Sequence, residues 1–193
     1  VFLPSAWNLG GGSAALLQYG PIILHPHVSY SLTYGSGLNS GSNGGQDTYI
    51  QQLSPGITVN LGQHWAFDYT AGIIFYSDKQ FRNAFNHSAS LNWNAAYEDW
   101  IFGLVQSFTS NDTPLTETAA QTSQQQYLTT LTTGYTFNSK MSAEFEVSQD
   151  LNYVTGLQNS YNWSTMDWLN YEFWPRLKAG IGAGAGYTKV SDN

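Results

Sequence analysis

The chain has 193 residues, of which 10% are charged and 16% aromatic, and its formal net charge at pH 7 is −7. An ordinary soluble domain carries about 25% charged residues, and a nucleic-acid partner would require a basic surface, so the composition argues against both a typical cytosolic protein and a nucleic-acid binder. The absence of cysteine excludes disulfides, thiolate metal sites and cysteine nucleophiles. No apolar run is long enough to predict a transmembrane helix.

The N-terminal residues 1–20 do not alternate well and do not have the pattern of a signal peptide. We expect them to form an N-terminal extension or an incomplete strand. The first clear element follows in 24–34, LHPHVSYSLTY, where apolar residues such as Leu24 and Val28 alternate with polar ones such as His25 and Ser29. Because strand side chains have a period of two, this segment predicts a strand with one apolar and one polar face.

The same alternation recurs along the chain and predicts nine strands of 9 to 13 residues, in 24–34, 49–61, 65–75, 85–93, 100–108, 127–137, 141–153, 163–173 and 177–187. Ordinary strands average about 5–6 residues, whereas tilted membrane strands need about 9–11. The strand lengths therefore favour a membrane barrel over a soluble sheet.

The predicted connections alternate between long and short. Long segments such as GSGLNSGSNGGQD and TSNDTPLTETAAQTSQQQ are followed along the chain by short ones such as GQH and NSK. Outer-membrane barrels have this asymmetry, with long extracellular loops and short periplasmic turns.

Aromatic residues stand at both ends of the apolar face of the predicted strands. Aromatic girdles of this kind mark the two membrane interfaces of a barrel. The predicted girdle residues beside the long loops are Tyr34, Tyr49, Phe75, Phe85, Phe108, Tyr127, Tyr153, Trp163 and Tyr187, and those beside the short turns are Trp65, Trp93, Trp100, Phe137 and Phe173.

The polar face predicts an aqueous lumen, because water can solvate charged side chains there. The predicted lumen-lining residues are Asp68, Glu144, Glu146, Asp150, Glu172, Lys178 and Trp168. The short turns predict that Glu172 lies opposite Lys178 and that Trp168 covers the bare backbone of Gly182; we also expect Glu144 opposite Glu172. This acidic lumen would favour cations over anions if the pore is open.

Sites for catalysis or metals are weakly indicated. His25 and His27 lie on one strand face and could share a metal, but a polar lumen role is favoured because no third ligand is evident, and no metal or cofactor is expected. Paired carboxylates could act as acid and base, yet the lysine among them favours a charge-balanced network. Since neither G-x-S-x-G nor H-E-x-x-H occurs, we expect no enzyme and no catalytic residue.

Three phrases, LSPGITVNLGQHWAFDYTAGIIFYS, YEDWIFGLVQSF and NWSTMDWLNYEFWPRLKAG, resemble bacterial outer-membrane β-barrel proteins of the β-barrel porin type. The resemblance covers roughly 20–193 and implies a Gram-negative outer-membrane location and more strands than nine. Bacterial single-chain barrels have even strand numbers. We therefore expect either that this chain is a piece of a longer polypeptide or that neighbouring chains complete the barrel.

The predicted fold class is all-β, an antiparallel up-and-down transmembrane β-barrel, with about nine strands in 21–193 as part of a larger barrel. The predicted function is a porin or passive channel for small polar solutes, with the lipid bilayer as partner. Two alternatives stay open: a non-conducting structural or adhesive surface barrel, and a soluble aromatic-rich β-sandwich that binds carbohydrate.

Overall fold

The computed structural model describes residues 17–36, 47–79, 81–112 and 121–191. Those residues form ten strands and no helix. Accordingly, no helix suited to crossing a membrane is found among them. The strands are β1 (Leu17–Tyr19), β2 (Ile22–Ser36), β3 (Asp47–Leu61), β4 (Trp65–Tyr76), β5 (Ala84–Tyr97), β6 (Trp100–Asn111), β7 (Gln124–Asn138), β8 (Met141–Val154), β9 (Asn159–Trp174) and β10 (Leu177–Ser191).

All ten strands lie in one antiparallel sheet, and their order in space is their order along the chain. The prediction of an all-β, antiparallel, up-and-down chain is confirmed. The sheet is open, because β1 and β10 are its two edges and do not pair with each other.

The predicted number of nine strands is wrong by one. The additional strand, β1, lies within the segment expected to be an extension or incomplete strand; residues 1–16 of that segment lie outside the described residues. Its three residues pair with β2 from Leu17 opposite Leu24 to Tyr19 opposite Ile22. Three residues are too few to show an alternating pattern, which is why the sequence left open whether this segment is an extension or an incomplete strand.

Connections alternate in length along the described chain, as predicted. At one end of the sheet the strands are joined through 20–21, 62–64, 98–99, 139–140 and 175–176; at the other end they are joined through 37–46, 77–83, 112–123 and 155–158. The loop predicted over 154–162 shrinks to four residues, because the Asn- and Ser-rich segment after it is part of β9. Polar composition was mistaken there for loop character.

The ladder between β3 and β4 has one interruption that the sequence explains. Leu53 pairs with Ile73, and the next paired residue of β3 is Gly56, opposite Thr70. Ser54 and Pro55 are not paired with β4. Proline has no backbone N–H to donate to a ladder. Pro55 is still aligned with β2, where it lies opposite Val28.

Apolar side chains are mostly exposed in this sheet. Within the described ranges, the buried apolar side chains are Ala71, Ile74, Phe81, Ala84 and Ala143. By contrast, Val28 is 67% exposed, Leu131 50% and Phe173 50%. The described strands are thus one layer, and no second layer covers the apolar face.

Candidate functional site

The strand register brings the predicted apolar residues onto one continuous face, hereafter the apolar face. Val59 lies opposite Leu24 on one side and Phe67 on the other, and Phe67 lies opposite Leu91. Farther along the sheet, Leu131 lies between Leu104 and Val147. Side chains at directly opposite positions of neighbouring strands lie on the same face of the sheet. The apolar residues of each strand therefore join into one apolar surface across the whole sheet.

Aromatic rings contact one another across strands at both ends of the apolar face. At the long-loop end, the ring centroids of Tyr34 and Tyr49 are 4.8 Å apart, as are those of Phe108 and Tyr127. At the short-turn end, Trp65 and Trp93 are 5.7 Å apart. Such pairs contribute about 0.5–1.5 kcal/mol beyond their buried area, so these rings also help to hold the strands in register.

The other predicted girdle residues also share this face. Trp163 lies opposite Tyr187, and Phe85 lies opposite Ile73. Trp100 contacts Tyr135, with ring centroids 4.6 Å apart. Tyr135 was not among the predicted girdle residues, although it alternates with Phe137. The further girdle residues on this face are Phe75, Phe137, Tyr153 and Phe173.

Several polar side chains interrupt the apolar face, and three pairs of them contact each other there, although the buried Thr133 Oγ1 has no hydrogen-bond partner among the described residues. The Thr129 hydroxyl donates to Gln106 Oε1 at 2.7 Å. The hydroxyl of Tyr69 lies 2.7 Å from His87 Nδ1. On β9, Thr165 Oγ1 donates to Asp167 Oδ1 at 3.1 Å. Side-chain pairing of this kind lowers the cost of placing polar groups in apolar surroundings.

The opposite side of the sheet, hereafter the polar face, carries the predicted lumen residues. Asp150 lies opposite Asn162 and Leu128, and its Oδ1 accepts a hydrogen bond from Gln126 Nε2 at 3.0 Å. Asp68 accepts from the hydroxyl of Thr58 at 2.5 Å. Both carboxylates are thus half-buried and held by neighbouring strands.

Two predicted pairings on the polar face are confirmed and one is wrong. Glu172 lies opposite Lys178, and the Lys178 Nζ to Glu172 Oε2 distance is 3.2 Å. Trp168 lies opposite Gly182. However, Glu144 also lies opposite Trp168 and not opposite Glu172. The connection between β8 and β9 is four residues long, shorter than the sequence indicated, and the shorter loop shifts the register.

The histidines do not converge. His25 and His27 share the polar face, where His25 lies opposite Thr58 and His27 Nε2 is 3.2 Å from Thr70 Oγ1. His64 Nδ1 lies 2.9 Å from the carbonyl oxygen of Asn94, and His87 is on the apolar face. In the part of the chain that the structure describes, no three metal-ligating side chains cluster.

Comparison of the chain with models of known protein families, with curated proteins and with solved structures finds no match.

Proposed function

We propose that this chain is part of an outer-membrane β-barrel whose apolar face contacts lipid and whose polar face lines an aqueous channel. The observation that carries the proposal is the continuous apolar face, in register across the sheet, with Val28 67% and Phe173 50% exposed. Exposed apolar surface in water is unfavourable by about 25 cal/mol for each Å². A lipid bilayer removes that cost without a second protein layer.

A soluble sandwich is the less favoured alternative. In a sandwich the inner face of each sheet packs against a second sheet about 10 Å away. Trp65 is 40% and Phe75 is 45% exposed, and the ring of Tyr127 contacts those of Phe108 and Tyr153 on the neighbouring strands. The exposure of these side chains supports contact with a fluid apolar phase.

Strand length and loop asymmetry support the same proposal. The strands β2 to β10 have 12 to 16 residues, which exceeds the roughly 9–11 that a tilted membrane strand needs. The remaining residues would extend each strand beyond the bilayer toward the loops. Long connections at one end and short turns at the other are also typical of outer-membrane barrels.

The open edges imply partners. A sheet edge inside a bilayer leaves backbone N–H and C=O groups without hydrogen-bond partners, at several kcal/mol each. The edge strand β10 has 15 residues. We therefore propose that further strands, from the same polypeptide or from neighbouring chains, pair with β10 and with β1–β2 in the membrane.

Charge on the polar face favours cation passage. The predicted lumen set holds five carboxylates, Asp68, Glu144, Glu146, Asp150 and Glu172, against one ammonium group, Lys178. Rings of acidic side chains select cations in channels. No catalytic arrangement competes with this role among the described residues, and we propose that the protein is not an enzyme.

Single-channel recording tests the proposal. The full-length protein, inserted into a planar bilayer, should give discrete conductance steps with a reversal potential that shows cation preference. Stable insertion without steps would contradict the channel and favour the structural or adhesive barrel. A protein that stays monodisperse without detergent would contradict the membrane location and favour the soluble alternative.

A further inference from the structure

A hollow of about 440 Å³ lies on the polar face where β6, β7, β8 and β9 run side by side. Its volume is within the range of about 300–1,000 Å³ that small-molecule sites occupy. The side chains that matter for its chemistry are Ile101, Thr132, Glu144, Glu146, Met166 and Trp168.

Glycine makes room on one side of the hollow. Gly134 lies directly between Ile101 and Glu144 in the sheet. A Cβ atom placed on Gly134 would meet its nearest neighbours, Ala143 O and Ile101 Cβ, only at van der Waals distances of 3.8 and 3.9 Å. The missing side chain leaves a gap in the row of side chains that otherwise covers the polar face.

Glycines of β10 hold the opposite wall in place. Trp168 leans over Gly182, since a Cβ atom there would lie 2.7 Å from the indole. Met166 leans over Gly184 in the same way, with Sδ 3.2 Å from the position of the missing Cβ. Because Gly182 and Gly184 have no side chains, Trp168 and Met166 pack over β10. They line the hollow as its wall and do not fill it.

Two carboxylates face this wall. Glu144 lies opposite Trp168, and Glu146 lies opposite Met166. Glu144 Oε1 accepts a hydrogen bond from Asn170 Nδ2 at 3.1 Å, whereas the Glu146 carboxylate has no hydrogen bond or ion pair within the described ranges. Lys178 pairs with Glu172, and no basic side chain is among the described residues that line the hollow.

This combination suits an organic cation better than a metal ion. The two glutamates are alternate residues of one strand, about 7 Å apart along it, and no third metal-ligating side chain joins them among the described residues. Trp168 is 41% and Met166 is 44% exposed, and an indole face attracts ammonium groups within about 6 Å. Apolar walls favour the alkyl part of the same ligand.

We infer that the hollow binds a small organic ammonium ion, a quaternary or alkyl ammonium of about the size of choline, between Trp168 and the carboxylates of Glu144 and Glu146. The inference goes beyond the proposed channel, because it requires only that water reaches the polar face. Binding and conductance are therefore separate readouts, and one can fail while the other succeeds.

Calorimetric titration of the full-length protein in nanodiscs with choline tests the site, with 3,3-dimethylbutan-1-ol as the neutral ligand of the same shape. Choline should bind at least about tenfold more tightly than the alcohol. Glu146→Gln should weaken choline binding by about fivefold. Asp68→Asn, which removes one negative charge from β4, away from the hollow, and keeps an acceptor for Thr58, should leave the Kd within about twofold.

Two glycine substitutions test the wall. Gly182→Ala places a methyl group 2.7 Å from the indole, so it should push Trp168 into the hollow and weaken choline binding. Gly186→Ala is the matched control on the same strand, since its nearest neighbour would be Trp163 O at 3.4 Å, and it should bind choline normally. Equal affinity for choline and the alcohol, or an unchanged Kd in Glu146→Gln, would overturn the inference.

Discussion

Apolar side chains are buried in one region of the sheet and exposed in another. At the long-loop end of β4 and β5, Ile74 lies opposite Ala84, and both are buried, as is Phe81 from the connection between these strands. On the apolar face, Phe85 is the next residue after Ala84, yet it is 48% exposed. We call the cluster of Ile74, Phe81 and Ala84 the covered corner.

The difference shows that apolar side chains of this sheet are buried where a connection between strands adds a further side chain to them. Ile74 and Ala84 lie on the polar face of the sheet. Phe81, from the connection between β4 and β5, contacts Tyr76 nearby, with ring centroids 5.5 Å apart. Where the connection between β4 and β5 contributes Phe81, the apolar side chains are buried as in an ordinary protein core. The apolar face has no such segment among the described residues, and we propose that lipid covers it.

The largest effect should come from truncating a phenylalanine in the covered corner. Phe81→Ala leaves a cavity among protein atoms and should lower the free energy of unfolding by about 3–5 kcal/mol. Phe85→Ala is the matched control, because lipid can fill the space that the ring vacates, and it should cost less than about 1.5 kcal/mol. Urea unfolding in lipid vesicles measures both; equal losses would remove the distinction between the two regions.

A charge placed on the apolar face should have the next largest effect. Leu131 is at the centre of β7 and is 50% exposed. Leu131→Arg should destabilise the protein in lipid vesicles by about 2–4 kcal/mol, the cost of arginine near the bilayer midplane. Thr132→Arg, one residue along and on the polar face, should cost less than about 1 kcal/mol. The opposite order of the two losses would reverse the assignment of the faces.

The smallest effect concerns the carboxylate that the apolar face already carries. Asp167→Asn keeps an acceptor for Thr165 Oγ1 and removes the charge. Because a charge is disfavoured on a lipid-exposed surface, this variant should be more stable by roughly 1 kcal/mol. Unfolding in vesicles at neutral pH measures the change, and a clear loss of stability would show that Asp167 pairs with a group outside this sheet.

The fold was largely predictable because alternation is a strong local signal. The segment 65–75 was expected as a strand and β4 spans Trp65–Tyr76. The start of β9 at Asn159 was not predicted. The first residues of this strand are mostly polar, so they show no alternation of apolar and polar side chains. The register of Glu172 and Lys178 was right because a two-residue connection allows few alignments, whereas that of Glu144 depended on a loop whose length the sequence did not reveal.

The hollow could not be predicted. It requires Gly134 beside Glu144, and Trp168 over Gly182, on four neighbouring strands. Each pairing depends on the register of its own hairpin, and the hollow requires several of these registers together, so one wrong loop length breaks the arrangement. The sequence indicated the Trp168–Gly182 contact alone, since only the short turn between β9 and β10 separates those two residues.

The central claim, that lipid covers one face and water the other, is tested most directly by cysteine labelling. The chain contains no cysteine, so single replacements give an unambiguous signal. In liposomes containing the full-length protein, Thr132→Cys should react readily with a membrane-impermeant maleimide, whereas Leu131→Cys should stay unlabelled until detergent is added. Equal labelling of the two variants in intact liposomes, or faster labelling of Leu131→Cys, would contradict the account.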